Sequence, residues 1–392
     1  MDWPTQRVEN IPADEFVPPH CPDAGCPSNR ETDPVPFRCI RKGWYRRQAA
    51  PHRVRRYLCT VCGRGFSQQT FAVSYYLKHP ERLVPCAAGL CAGSSFGQIA
   101  DVHGGHRSSW ARLSERIGRH AMLLHALVLE EIRARRLLVE PLVYDHLETF
   151  AACQDYPIGI GLLALKESRF VLSVDAAMHA RPRRLPWERA RRDSRYRRWG
   201  RPPRGAYARA VAATRDRLLA ISAPDVRLRL ATDAHPAYRR FDRSPRIERA
   251  VHPNPPRRRG GPRSAEVRER HRQLWLADVL DKLVRHETAG HKRETIAFMR
   301  RHACLVLRVF VNVVRRNLVA PRSKRAGRAQ AHVTPAVRLG VVDERWSWSR
   351  IFAQRIFPHR IALPDDWAAI YDKRLNTPMV GKNTTHRLRY AY

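Results

Sequence analysis

Nine cysteines stand in this chain, and four of them are paired at short spacing near its start. Cys21 and Cys26 close the segment CPDAGC, and Cys59 and Cys62 close CTVC, followed by Gly63. A thiolate pair at such spacing places two sulfurs on one Zn²⁺, and two pairs complete a tetrahedron. The surrounding segment is rich in Cys, Pro and Arg and short of apolar periodicity, so it needs a staple other than a core. Cys39 lies between the pairs and is an alternative ligand. Cys86, Cys91, Cys153 and Cys304 sit in apolar patterns and read as small core residues.

Three carboxylates form a second constellation. Asp145 interrupts an apolar run between Val143 and Leu147. Asp233 directly follows VRLRLAT, and Glu294 stands in HKRETIAF without Lys or Arg three or four residues later. A carboxylate inside an apolar element is costly unless something cationic meets it. Three such groups can hold two Mg²⁺ or Mn²⁺ ions, the arrangement that serves in-line phosphoryl chemistry. Taken singly each acid has an ordinary reading: Asp233 as a helix N-cap, Glu294 as a surface residue.

The elements that must position these acids follow from the pattern. Residues 140–150, 158–166 and 170–175 are three β-prone runs at hairpin-like intervals, and they predict antiparallel strands. Residues 207–221 have helical periodicity, 226–232 alternate as a fourth strand, and 246–251 make a weak fifth. Helices over 264–286 and 291–317 complete the region. Three strands, helix, strand, helix, strand and helices is the order of an RNase H-like α/β domain. Four regions are expected: a zinc-ribbon module at 1–70, a DNA-binding helix-turn-helix at 71–135, the RNase H-like domain at 138–320, and a tail subdomain at 333–392.

Lys and Arg number 73 against 36 Asp and Glu, a net charge of +37. That excess must meet a polyanion, and nucleic acid is the leading one. In 82–120, two short helices around the Gly104-Gly105 turn predict a helix-turn-helix, whose second helix offers Arg107, Ser108 and Arg112 to a groove. The Arg-rich stretch 181–204 reads as an exposed connection. It carries Arg191, Arg192, Arg197 and Arg198 for phosphates, with Trp187, Tyr196 and Trp199 interleaved for stacking. A second Arg-rich stretch, 255–272, reads the same way.

Together the segments CPDAGC, RVRRYLCTVCGRGFSQQTF, GSSFGQIADVHGG, YDHLETF, TDAHPAYRR and HKRETIAF resemble a DDE-type insertion-sequence transposase with an N-terminal zinc ribbon. The resemblance runs from Cys21 to about Trp367. It implies Asp145, Asp233 and Glu294 as catalytic, magnesium-binding acids, with Glu148 and Glu287 as rival ligands. It implies cleavage at the ends of a mobile element and strand transfer into target DNA. The partners would be double-stranded DNA, both terminal repeats and target, and a second copy of the chain. The family often has Asp-Glu where this chain has Asp145-His146, so no role passes to His146.

Other readings are a non-catalytic, sequence-specific DNA-binding regulator, a metal nuclease that cuts without joining, and an RNA-binding protein. The first and last leave the acids unexplained. No apolar run approaches the roughly 20 residues of a membrane span, and the first residues have no apolar signal core. A cytoplasmic, nucleoid-associated protein is the expectation.

Overall fold

The computed structural model describes residues 6–7, 16–29, 37–255, 264–292, 295–323, 327 and 330–380. The described chain divides into two units. One takes residues up to 87 together with 346–362; the other takes 88–345 together with the residues from 363 on.

The first unit is built on a three-stranded antiparallel sheet: β1 (Cys39–Arg46), β2 (Arg53–Cys59) and β3 (Gly65–Ser67). Its core is small and aromatic. Phe16, Tyr57, Phe66, Phe71 and Phe357 are buried with Cys21, Cys26 and Cys59. The Tyr57 and Phe66 rings stack at 5.5 Å, and the Tyr57 hydroxyl donates to the Phe16 carbonyl at 2.9 Å. So few apolar groups on so short a sheet leave room for the cysteines to act as a second anchor.

The second unit is α/β, with a mixed five-stranded sheet flanked by helices. The strands are β4 (Leu142–Phe150), β5 (Pro157–Leu165), β6 (Val171–Met178), β7 (Leu228–Thr232) and β8 (Ile247–Val251). Their spatial order is β6-β5-β4-β7-β8. The first three are antiparallel neighbours; β7 runs parallel to β4, and β8 parallel to β7. All nine residues of β5 are buried, as a strand covered on both faces requires. Its glycines have a specific use. A Cβ on Gly161 would sit 2.3 Å from Asp175 Oδ2, and one on Gly159 would sit 2.4 Å from the Tyr207 hydroxyl.

Helix α1 (Leu83–Cys91) is followed by α2 (Phe96–His103), which Ser95 caps in a reciprocal capping box with Gln98. Helix α3 (Arg107–Ala134) is longer than the helix over 106–118 that the pattern predicts. Beyond Ile117 its inner face is mainly apolar, with Arg119, His120 and His125 also buried, and the helix packs on α7 (His302–Val314).

Helix α4 (Pro186–Trp199) corrects the reading of 181–204 as a connection. Pro186 opens it, Glu188 sits in the first turn, and Arg197 and Arg198 sit in the last, all matched to helix ends. Arginine is a good helix former, and high charge keeps a helix on the surface without unwinding it.

Helices α5 (Ala206–Ile221) and α6 (Ala265–Glu287) cover the sheet. The helix expected over 291–317 begins only at His302. The described residues between 292 and 301 are bends and irregular backbone, and a short π turn, Arg315–Val319, ends the element. In the second Arg-rich stretch, 256–263 lie outside the described residues, and the rest from Ala265 is the start of α6.

Candidate metal centres

The cysteine pairs meet. Cys21 Sγ lies 3.6 Å from Cys62 Sγ, and Cys26 Sγ lies 3.9 Å from Cys59 Sγ. All four sulfurs fall within 4.8 Å of one another. A tetrahedron with metal–sulfur bonds of about 2.3 Å has edges of about 3.8 Å, so the set has the dimensions of a tetrathiolate site.

Each pair is shaped by its own turn. Asp23 Oδ1 accepts from Gly25 N at 3.1 Å, which folds the wider CPDAGC turn, and Cys26 N donates to Asp23 O. Gly63, at φ +67, lets its N–H return to Cys59 O at 3.0 Å. Arg64 then pairs with Asp23 at 2.7 Å and ties the two turns together.

Burial pushes the Cys21 and Cys26 thiols up. At Cys59 burial acts the same way, but backbone N–H groups from Cys62 and Val61 outweigh it and hold the thiol below its ordinary value. A metal would remove the cost of the buried thiolates. The four cysteines can therefore bind a metal such as zinc. Cys39 is half-buried beside the core of this unit, and burial followed by the nearby Cys59 raises its thiol.

The acids occupy the second unit. In the β4–β7 register Leu142 faces Leu230 and Val143 faces Ala231. The same offset sets Asp145 level with Asp233, just past the last paired residues. Asp145 Oδ1 accepts from the Tyr238 hydroxyl at 3.1 Å and from His146 N at 2.8 Å. Asp233 Oδ1 accepts from His235 N at 2.8 Å. Burial, then the charge of Asp233, raises the Asp145 carboxyl above the usual range.

A third carboxylate joins them that the sequence pattern does not single out. Asp281, on α6, is pushed up to about 8, first by burial and then by the charge of Asp145. A signal for it exists in the sequence. Leu274, Ala277, Asp281 and Val284 follow apolar helical spacing, so Asp281 lies on the stripe that α6 turns toward the sheet.

Glu294 lies outside the described residues. Glu287 is buried and engaged elsewhere: its Oε2 accepts from Asn312 at 3.0 Å and pairs with Arg315 at 2.9 Å. Glu148 lies farther along β4, half-exposed and 3.4 Å from His179. The three carboxylates do not converge as tightly as the cysteines. Among the described residues only the four cysteines bring three or more ligand atoms within 4.8 Å.

His146 belongs to a buried network behind Asp145. Its Nε2 donates to Asp175 Oδ1 at 3.0 Å, and its Nδ1 lies 3.0 Å from the Tyr238 hydroxyl. Tyr144 and Thr214 donate to Asp175 Oδ2 at 2.6 and 2.7 Å. Burial opposes the Asp175 carboxylate, but His146 and these donors outweigh it and hold the group below its ordinary value. Asp175, His146 and Tyr238 thus fix the side chain that holds Asp145 in place.

The basic residues singled out from the sequence lie at two places in this unit. Arg107 and Arg112 are exposed at the start of α3 with Ser108 beside them, and His106 caps the helix. Arg191, Arg197 and Arg198 lie on α4. Arg191 lies over Trp187 at 5.2 Å, and Arg198 over Trp199 at 4.9 Å. Arg192 is committed to Asp193 and the Arg181 carbonyl. The helix is anchored by Asp155, fully buried, which accepts from Arg183 at 2.7 Å and also pairs with Arg195.

Among the described residues no helix is long and apolar enough to cross a membrane. No protein-family model matches the chain, and a search of curated proteins found no match.

Proposed function

We propose that the protein is a DDE-type DNA transposase, whose catalytic domain is RNase H-like and whose acid site is built on Asp145, Asp233 and Asp281. One observation carries the reading: the level placement of Asp145 and Asp233 on adjacent parallel strands, with α6 packed on the same sheet and Asp281 within electrostatic reach of Asp145. Strand order supports it. Three antiparallel strands followed by two parallel ones, with the first strand central, is the order expected of that fold. Glu294, which the resemblance implies as the third acid, remains a member of the proposed set.

Carboxylate oxygens are the ligands that Mg²⁺ and Mn²⁺ prefer. Burial raises both carboxyls first, then the charge of Asp233 raises Asp145 and that of Asp145 raises Asp281; a divalent cation would relieve both effects. When bound, such an ion supplies Lewis-acid stabilisation of charge on phosphate oxygens. The chain's own residues do the positioning. Tyr238 and the His146 backbone hold Asp145, His235 N holds Asp233, and the arginines of α4 neutralise backbone phosphates. The cysteine module and the α2–α3 segment would read the element ends, and two ends call for two copies of the chain.

A cleavage and strand-transfer assay tests the reading. The substrate is duplex DNA from the two flanks of the coding region, with a supercoiled plasmid as target, in Mg²⁺ or Mn²⁺. We expect nicked ends and joined products that vanish in Asp145→Asn and Asp233→Asn, with duplex binding retained. Binding without any cleavage by the wild-type protein would favour a DNA-binding regulator. Cleavage without joining would favour a nuclease.

A further inference from the structure

A cavity of about 620 Å³ opens in the first unit, between the β1–β2 hairpin and the turn at 74–77. Its lining is unusual in composition. Tyr45, Tyr57, Tyr75 and Tyr76 contribute rings, Lys42, Arg47, Arg56 and Lys78 contribute cations, and no carboxylate takes part. Glu81 is the one acidic residue between 37 and 82. Lys42, Arg56 and Lys78 have no carboxylate partner among the described residues.

The geometry is held firmly. Arg47 donates to Gln69 Oε1 at 2.9 Å and to the Leu77 carbonyl at 3.0 Å, and Ser74 donates to the same Gln69 oxygen. Those bonds pin the turn that carries Tyr76. Tyr76 itself has φ +58, a left-handed conformation that a bulky residue rarely adopts, and it is 69% exposed. Its ring meets Tyr75 edge-on, with centroids 4.4 Å apart at 66°. That contact still leaves Tyr76 largely open to solvent. One edge contact with Tyr75 accounts for little of a bulky ring held out by a left-handed backbone.

We propose that this cavity is a stacking site for an unpaired base of a DNA strand. Tyr76 and Tyr45 supply the faces, and Lys42, Arg56 and Lys78 meet the flanking phosphates. Stacking on exposed aromatics beside a cationic groove is how single strands are held without sequence readout. Duplex DNA has no free base face to offer, so the preference should be for unpaired DNA. The site is independent of the acid cluster in the other unit.

Photo-crosslinking of the full-length protein to a single-stranded oligonucleotide carrying one 5-iodouracil, followed by peptide mapping, locates the base. The adduct is expected on Tyr45, Tyr75 or Tyr76, and equally in Asp145→Asn protein. Tyr76→Gly removes the ring and suits the positive φ, so folding is preserved. It should lower crosslink yield and single-strand affinity about tenfold, while Tyr76→Trp stays within about twofold of wild type. Affinity for a fully paired duplex should not change. Adducts confined to other segments would overturn the proposal, as would an equal loss of duplex binding in Tyr76→Gly. Displacement of the oligonucleotide from this site by poly-glutamate at equal charge would reassign it to an acidic peptide.

Discussion

Asp281 on α6 lies within the electrostatic reach of Asp145 on β4: burial first, and then the charge of Asp145, hold its carboxyl protonated at neutral pH. A carboxyl raised to about 8 binds a proton in the folded state that the unfolded chain has released above about pH 4. Stability from this group is therefore greatest below that value and falls as pH rises toward 8. In metal-free protein, Asp281→Asn should stabilise the fold by roughly 2–5 kcal/mol at pH 8, with little effect at pH 4, because a tenfold change in proton affinity is worth about 1.4 kcal/mol. Thermal melts at the two pH values check this. An equal effect at both would mean that Asp281 is not held in its neutral form.

The thiolate site predicts a metal-dependent first unit. One zinc per chain should copurify, and a strong chelator should lower the melting transition of that unit. Cys26→Ser should abolish retention of the metal, while Cys86→Ser should leave it intact. Elemental analysis of full-length protein before and after dialysis decides it. Substoichiometric metal in wild type would contradict the assignment.

Three buried histidines set acid sensitivity in the second unit. His125 is sandwiched near Phe170, Phe310 and Trp367, and its Nε2 donates to the Leu172 carbonyl at 3.0 Å. Burial holds His125 and His302 down to about 4, and His291 down to about 3. Each stays neutral in the fold while the unfolded chain takes up a proton below about pH 6.5, so stability present at pH 7 is lost as pH falls toward 4. Denaturant melts should show a loss of about 1.4 kcal/mol per pH unit per histidine across that window. His125→Phe should remove one of the three contributions. A flat profile from pH 7 to 5 would show that these rings titrate normally.

Helix α4 predicts salt-dependent, sequence-independent DNA binding. Arg191, Arg197 and Arg198 together replaced by Ala should weaken binding to every duplex alike. The slope of log affinity against log salt should flatten by up to about 0.9 per lost phosphate contact. Loss of preference among sequences with an unchanged slope would assign these residues to base reading instead.

The first three strands of the large sheet are legible because they are short, largely apolar and β-prone and lie in its core. Ile158, Ile160 and Leu162 alternate with Gly159 and Gly161, and the glycines leave room for Tyr207 and Asp175. The cysteine set is legible because its ligands are local pairs. Helix α4 reads as a connection because its buried contacts come from Asp155 and Tyr196, one distant in sequence and the other hidden among charges. Asp281 escapes notice because a lone Asp with Arg285 four residues on looks like a surface ion pair. Asp145, whose charge acts on it, is 136 positions away and is brought near only through the packing of α6 on the sheet.

Whether Asp145, Asp233 and Asp281 form one divalent-cation site is the central question. Anomalous diffraction from crystals of the full-length protein soaked in Mn²⁺ tests it most directly. The expected result is an anomalous peak ligated by oxygens of Asp145 and Asp233, with Asp281 beside it, that disappears in Asp145→Asn crystals. A saturating soak that leaves these carboxylates without a peak, or places Mn²⁺ elsewhere in the unit, would contradict it.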